Sequence, residues 1–363
     1  MKKILFEPFQ TDKLTLKNKI VMAPMTRSAS PNNIPTNELT QYYKRRAEGK
    51  VGLIITECTF IEHPVANGFI DAPAFFGKQA LESWKYMVKE VHNAGAKIIP
   101  QIWHAGIAHN NIDTSVPSIG PVDIFKNGKQ IVKAMDQKDI DTIIEKFTNA
   151  AINAKNLGFD GVEIHGAHGY IIDQFLWDKS NTRDDKYGGS IENRARFACE
   201  IVHSIREAVG NDFPILFRFS QWKLEDYNAK IVNTPKELET LLFLLIEAGV
   251  DIFDVSTRKF WDSAFKGSSL SLAGWTKKLS QKPVIAVGGV GLDTEFTLDI
   301  FSKTFEDTPK STKLVEEKLQ DQEFDLIAVG RALLGDPNWA KKIQEDQLNH
   351  IIPFSSESLN SLT

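Results

Sequence analysis

The stretch Leu157-Gly158-Phe159-Asp160-Gly161-Val162-Glu163-Ile164 decides the fold. It begins at the end of an amphipathic helical segment and leads directly into a short apolar run. A glycine just past the last turn is the usual end of a helix. The same joint recurs, each time a few residues before another apolar run, at Glu48-Gly49, Ala94-Gly95 and Ala248-Gly249. The chain therefore alternates between helices and strands.

Eight short apolar runs occupy the strand positions of this alternation. They are mostly apolar and do not alternate with polar residues, which is typical of strands covered on both faces in a parallel sheet. The runs are residues 20–23, 53–56, 97–102, 161–164, 215–218, 252–255, 284–287 and 326–329. This pattern predicts an α/β protein with a closed (β/α)8 barrel, a TIM barrel. A doubly wound open sheet usually has a glycine-rich loop after its first strand, where this chain has Ala23-Pro24-Met25-Thr26.

No linker-like composition divides the sequence, so we predict one domain over residues 1–363. The segment before Asn18 is predicted to close the bottom of the barrel as a short hairpin. Two connections, residues 105–135 and 178–190, are long for loops between a strand and a helix. Because loops that follow strands form the active-site face of this fold, both are candidates for its rim or for a lid.

Composition argues against several classes of function. Lys plus Arg number 43 and Asp plus Glu 47, a balance that gives no reason to expect nucleic acid or an anionic membrane as a partner. The N-terminus reaches Glu7 and Pro8 too early for a signal peptide, and no long apolar run suggests a membrane span. We therefore expect a cytoplasmic protein. Two cysteines, Cys58 and Cys199, are too few for a disulfide framework or a cysteine-ligated iron–sulfur cluster.

The most informative local pattern is His165-Gly166-Ala167-His168-Gly169-Tyr170, at the end of the fourth predicted strand. Two histidines three residues apart could bind a metal together with a third ligand, or could donate two hydrogen bonds to one carbonyl oxygen. Tyr170 follows where a phenol could deliver a proton to a neighbouring carbon. A purely structural role stays open, since buried histidines are often only hydrogen-bonded.

Arg218 lies inside an otherwise apolar strand. A buried guanidinium needs an anionic or accepting partner, which could be Glu57, Glu163 or a planar electron-rich cofactor. Gln101 offers the donor and acceptor atoms that the imide edge of a flavin requires. Glu57 and Glu163 also leave open a flavin-free barrel hydrolase, because paired carboxylates catalyse hydrolysis in such folds.

The last two predicted strands end in Val287-Gly288-Gly289 and Val329-Gly330-Arg331. In (β/α)8 barrels the loops after the seventh and eighth strands frequently bind phosphate through backbone N–H groups. Glycine permits close approach of the backbone, and Arg331 could add a charge-assisted contact. These ends predict a phosphorylated ligand, unless the glycines serve only tight turns.

Taken in order, these motifs resemble the Old Yellow Enzyme family of FMN-dependent ene-reductases. The resemblance runs from Asn18 to about Trp339. It rests on residues 18–27, 52–57, 101–106, 158–170, 173–176 and 180–197. It implies FMN bound without a covalent link, NADH or NADPH as the reductant, and reduction of the C=C bond of an enone or enal. The residues it implies for FMN binding are Ala23, Pro24, Met25, Thr26, Cys58, Gln101, Arg218, Gly289, Gly330 and Arg331.

The resemblance also implies individual roles. Thr26 would hydrogen-bond the flavin carbonyl nearest the reactive nitrogen, and Arg218 would place positive charge beside the pyrimidine ring. His165 and His168 would hold the substrate carbonyl. Tyr170 would protonate the carbon next to that carbonyl, and Trp103 would help to orient the substrate.

Three positions distinguish this chain within the family. Cys58 stands where members more often have alanine or glycine. Thr26 follows the yeast-like branch, whereas another branch has a redox-modulating cysteine there and a tyrosine in place of Ser28. The substrate range therefore does not transfer. The choice between NADH and NADPH and the oligomeric state stay open, as does a flavin-binding sensor without turnover.

Overall fold

The computed structural model describes residues 4–113, 115–292 and 309–363. Eight parallel strands close into a barrel in chain order, with the last strand pairing with the first. They are β1 (Ile20–Met22), β2 (Leu53–Phe60), β3 (Lys97–Trp103), β4 (Val162–His168), β5 (Ile215–Lys223), β6 (Ile252–Ser256), β7 (Val284–Val287) and β8 (Leu326–Val329). Each predicted run overlaps one of these strands, so the (β/α)8 barrel is confirmed.

Ten α-helices lie in the described part of the chain. They are α1 (Asn37–Glu48), α2 (Lys78–Asn93), α3 (Gln137–Leu157), α4 (Ile171–Leu176), α5 (Ile191–Val209), α6 (Pro235–Ala248), α7 (Leu272–Ser280), α8 (Pro309–Gln320), α9 (Arg331–Gly335) and α10 (Trp339–Gln344). Gly158 ends α3 with a φ of 85° and Gly249 ends α6 with a φ of 121°, conformations that favour glycine. None of the described helices combines the length and the apolar character needed to cross a membrane.

The predicted N-terminal hairpin is present. Phe9–Gln10 pairs in antiparallel fashion with Thr15–Leu16. Phe9 and Leu16 are buried in one cluster with side chains from the strands, including Val21 of β1. The hairpin thus packs against the barrel interior, and burial of this apolar surface stabilises the fold by about 25 cal/mol per Å².

Hydrogen bonds join the two long connections to each other. Residues 105–135 contain a short 3-10 helix and a three-stranded sheet formed by Ser118–Gly120, Ile124–Lys126 and Lys129–Ala134. Arg183, in the second connection, donates hydrogen bonds of 2.8 and 2.9 Å to the carbonyl oxygens of Pro121 and Met135. A single guanidinium therefore joins the two segments outside the barrel strands.

Candidate active site

A cavity of about 570 Å³ opens where the strands end. This is the face on which (β/α)8 barrels carry their active sites. The structure brings together, in its wall, Ala23, Pro24, Met25, Thr26, Cys58, Gln101, His165, His168, Tyr170, Arg218, Gly289, Gly330 and Arg331. Trp103 does not line the cavity: it is fully buried behind Tyr170 and Phe69.

The wall also contains residues that the sequence patterns did not indicate. They are Phe69, Trp222, Leu224, Arg258, Phe354 and Leu359, among others. No described residue of the connections 105–135 and 178–190 lines the cavity, so their role as its rim or lid stays a prediction. Phe354 and Leu359 of the C-terminal segment line part of the cavity.

Tyr170 is held between two aromatic neighbours. It immediately precedes α4, and its ring makes edge-on contacts with Trp103 at 5.1 Å and His165 at 4.9 Å between centroids. Tyr170 is 5% exposed, and burial raises the pKa of its phenol above the usual value. The hydroxyl therefore keeps its proton at neutral pH, which a proton donor requires.

His165 and His168 are neutral imidazoles. Burial is the main cause that lowers the pKa of both rings well below the usual value, and the charge of Arg218 adds to it. The Ala167 N–H donates to Nδ1 of His165 at 3.3 Å, which leaves the ring proton on Nε2. The two rings are 5.2 Å apart at nearly right angles, and both line the cavity.

His168 has a second set of neighbours on β5 and β6. Its backbone N–H donates to the Ser220 hydroxyl at 3.1 Å, and its Nε2 lies 2.8 Å from the Ser256 hydroxyl oxygen. The Trp222 ring packs on the imidazole with 4.4 Å between centroids. The φ of His168 is 66°, a conformation that L-residues rarely adopt, so these contacts hold the ring in a defined position. Among the described residues, no group of three potential ligands could hold a metal.

The partner of Arg218 is Asp254. The distance from Nη1 of Arg218 to Oδ2 of Asp254 is 2.6 Å, and the two residues are register neighbours on β5 and β6. The alternative that Glu57 or Glu163 forms this ion pair is wrong, because Asp254 stands directly beside Arg218 in the sheet. Both members are almost fully buried, where an ion pair needs this short geometry to offset desolvation.

The other two carboxyl groups lie outside the cavity wall and accept hydrogen bonds from residues in it or next to it. Glu57 accepts hydrogen bonds from the backbone N–H groups of Arg27 and Ser28, at 2.8 and 3.1 Å. Glu163 accepts one from Nε2 of Gln101 at 2.7 Å. Neither Glu57 nor Glu163 lines the cavity, which removes the carboxylates that a flavin-free hydrolase would need.

The wall fits a flavin nucleotide. Nε of Arg218 is buried and has no hydrogen-bond partner among the described residues, so an acceptor on a ligand would satisfy it. Gly288 and Gly289 have φ values of 138° and 74°, and a Cβ atom at Gly288 would lie 2.3 Å from the carbonyl oxygen of Thr257. Only glycine allows the backbone this path beside the cavity.

The charges of the wall also suit a phosphorylated ligand. Its described residues include no Asp or Glu, whereas four are arginines: Arg27, Arg218, Arg258 and Arg331. Burial lowers the pKa of Arg331 to about 10, so this guanidinium is still protonated at neutral pH. After the neighbouring strand β1, the Thr26 hydroxyl oxygen lies 3.4 Å from Sγ of Cys58. Burial raises the pKa of that thiol to about 12, so it is neutral.

Comparisons with known proteins agree with this geometry. Residues 4–350 match the model of the NADH:flavin oxidoreductase / NADH oxidase family. An NADPH dehydrogenase of Clostridium acetobutylicum is 35% identical over 340 residues, which cover 92% of each chain. An NADH oxidase of Thermoanaerobacter brockii is 35% identical over 96% of this chain, which spans 52% of the length of that relative.

Solved structures show the same likeness. A morphinone reductase in complex with tetrahydroNAD superimposes with a TM-score of 0.77 at 27% identity, covering 94% of this chain and 90% of the other. An Old Yellow Enzyme from Pichia sp. AKU4542 gives a TM-score of 0.79 at 26% identity, covering 98% and 90%. The chain therefore belongs to the NADH:flavin oxidoreductase / NADH oxidase family of FMN-dependent oxidoreductases.

Proposed function

We propose that this oxidoreductase reduces the C=C bond of α,β-unsaturated carbonyl compounds. The observation that carries the proposal is the grouping of His165, His168 and Tyr170 in the same cavity as Gln101 and Arg218. Two neutral N–H donors and one protonated phenol suit a reaction in which a carbonyl is polarised and a carbon is protonated. Relatives named morphinone reductase and 12-oxophytodienoate reductase support this substrate class.

The cofactor is held by residues from six strands or the loops that follow them. Bound FMN supplies the hydride chemistry, from NADH or NADPH to the alkene. Gln101 addresses the imide edge of the flavin, and Nε of Arg218 donates to an acceptor atom of its pyrimidine ring. Gly289, Gly330 and Arg331 hold the phosphate. Further contacts come from Ala23, Pro24, Met25, Thr26 and Cys58.

Three residues on β4 or directly after it activate the substrate. His165 and His168 donate hydrogen bonds to the carbonyl oxygen, which draws electron density away from the far alkene carbon. Tyr170 gives its proton to the carbon next to the carbonyl, so that one hydride and one proton together saturate the double bond. Trp103 packs edge-on against the ring of Tyr170 and holds that ring in position.

The visible absorption spectrum of the purified protein tests the proposal. It should show a flavin that bleaches when titrated with NADPH or NADH without oxygen and returns on addition of cyclohexenone. Bleaching reversed by oxygen and not by the enone would contradict the substrate class. A flavin that neither nucleotide bleaches would favour a flavin-binding sensor without turnover.

A further inference from the structure

A row of four polar side chains crosses four adjacent strands beside the cavity. The row consists of Gln101 on β3, Glu163 on β4, Arg218 on β5 and Asp254 on β6, each at most 4% exposed. Gln101 and Arg218 line the cavity, whereas the two carboxyl groups lie behind them. Glu163 and Asp254 belong to alternate strands, whose inward side chains share a layer in this fold.

Each carboxyl group uses one oxygen for a known donor. Oε1 of Glu163 accepts from Gln101 at 2.7 Å, and Oδ2 of Asp254 accepts from Arg218 at 2.6 Å. The remaining oxygens, Oε2 of Glu163 and Oδ1 of Asp254, are buried and receive no hydrogen bond from another described residue. Leu216 on β5 is the register neighbour of both Glu163 and Ile252, so Asp254 lies one inward-facing position further along β6, and its charge acts on Glu163.

Each of these two buried oxygens lacks a donor, and a proton on one of the two carboxyl groups would supply it. Two negative charges this close in a dry interior also repel strongly, so one of the pair must be protonated. The guanidinium of Arg218 forms an ion pair with Asp254, which favours the ionised form of the Asp254 carboxyl group. Glu163 faces a neutral amide, so the proton belongs on Glu163.

We propose that Glu163 and Asp254 share one proton, held on Glu163, and that this acid–carboxylate pair positions Gln101 and Arg218 toward the flavin. Both are positioning residues, since neither lines the cavity. Burial and the charge of Asp254 raise the pKa of Glu163 well above its usual value, in agreement with the two buried oxygens that lack a donor. The proposal rests on the proposed binding of FMN at Gln101 and Arg218.

The pair has two effects on the cavity. The bond from Nε2 of Gln101 to Glu163 fixes the orientation of the amide, and leaves Oε1 to accept a hydrogen bond from a ligand. The single negative charge on Asp254 balances the single positive charge on Arg218. If both carboxyl groups were ionised, the row would carry a net negative charge and would disfavour an anionic reduced flavin.

Substitutions at Glu163 test where the proton lies. Glutamine at this position reproduces the protonated acid, because its carbonyl can accept from Gln101 while its amide donates to Asp254. Glu163→Leu keeps a similar shape but leaves both partners without a hydrogen bond. We expect Glu163→Gln to bind FMN with an affinity within about threefold of the wild type, and Glu163→Leu to bind it roughly tenfold or more weakly. Affinity is measured by fluorescence titration.

Infrared spectroscopy gives a readout that does not depend on activity. The wild-type protein as isolated should show the carbonyl band of a protonated carboxylic acid that is missing from Glu163→Gln. Asp254→Asn should shift the flavin midpoint potential in the positive direction, because it leaves the charge of Arg218 unbalanced.

The outcomes separate this inference from the proposed function. Absence of the carbonyl band, or equal loss of FMN affinity in Glu163→Gln and Glu163→Leu, would overturn the shared proton. A wild-type protein that shows the band but binds no FMN would overturn the positioning role together with the proposed function, and would leave the protonation of Glu163 standing.

Discussion

Replacing Tyr170 with phenylalanine tests the proposed proton donor with a minimal change. The contacts of the ring with Trp103 and His165, at 5.1 and 4.9 Å between centroids, do not involve the hydroxyl and should persist. General acid catalysis contributes roughly 100- to 10,000-fold to a rate. We therefore expect reoxidation of the reduced flavin by cyclohexenone to slow by about 100-fold or more. Flavin reduction by NADPH needs no proton from Tyr170 and should be nearly unchanged.

The pKa of Tyr170 provides a second, independent test of the same step. Burial raises this pKa, so the acid form persists throughout the range in which an ordinary tyrosine is protonated, up to about pH 10. In the wild-type protein, the rate of enone reduction should therefore show no decline from ionisation of Tyr170 as the pH rises from 6 toward about 9.

Anaerobic stopped-flow absorbance measures the two half-reactions separately. Tyr187→Phe is the matched control, because Tyr187 is also buried but bonds to Glu200 at 3.0 Å and does not line the cavity. The control should leave both half-reactions unchanged. Equal slowing of both by Tyr170→Phe would refute the proton-donor role, since it would indicate a general disturbance of the site. No slowing of either would refute it as well.

Two further predictions concern groups near the cavity. Nη2 of Arg27 donates to three carbonyl oxygens in residues 358–361, so Arg27→Met should release the C-terminal segment and speed its removal by carboxypeptidase; unchanged digestion would contradict this. Burial raises the pKa of Glu57 from its usual 4.5 to about 7, so the folded protein holds a proton that the unfolded chain loses between these values. The free energy of unfolding should therefore fall by up to about 3 kcal/mol as the pH rises through this window, and Glu57→Gln should flatten that fall in denaturant titrations. A free energy of unfolding that falls more steeply with pH in Glu57→Gln than in the wild type would contradict this prediction.

The barrel was predictable because its signals are local. A strand buried on both faces is apolar along most of its length, and a helix that turns back toward the sheet ends at a residue that tolerates a positive φ. Gly158 and Gly249 carry this second signal, and the structure gives them φ values of 85° and 121°. Neither signal depends on contacts between distant parts of the chain.

The partner of Arg218 was not predictable in the same way. Asp254 lies 36 positions further along the chain, and its contact with Arg218 depends on the register of β5 against β6. Apolar runs locate strands but do not fix their register to one residue. A single acidic residue inside the run Ile252-Phe253-Asp254-Val255 is the signal that could have found it, because an isolated buried carboxylate needs a partner.

The C-terminal part of the wall had no sequence signal at all. Phe354 and Leu359 belong to a segment without helical or strand periodicity, and hydrogen bonds to Arg27, more than 300 residues earlier, help to hold that segment at the cavity. Such a contact stabilises a loop by tertiary structure alone. Patterns of local sequence cannot report it.

The placement of acidic residues around the cavity explains how one site can attract anionic ligands and still be rigid. Glu57, Glu163 and Asp254 all lie within barrel strands, yet none of them lines the wall. Glu57 holds the backbone after Thr26, Glu163 holds the amide of Gln101, and Asp254 holds the guanidinium of Arg218. These three acidic side chains therefore fix the positions of the groups that face the ligand. Because a ligand meets four arginines and none of these carboxylates, the charge of the described wall favours flavin phosphate and the anionic reduced flavin.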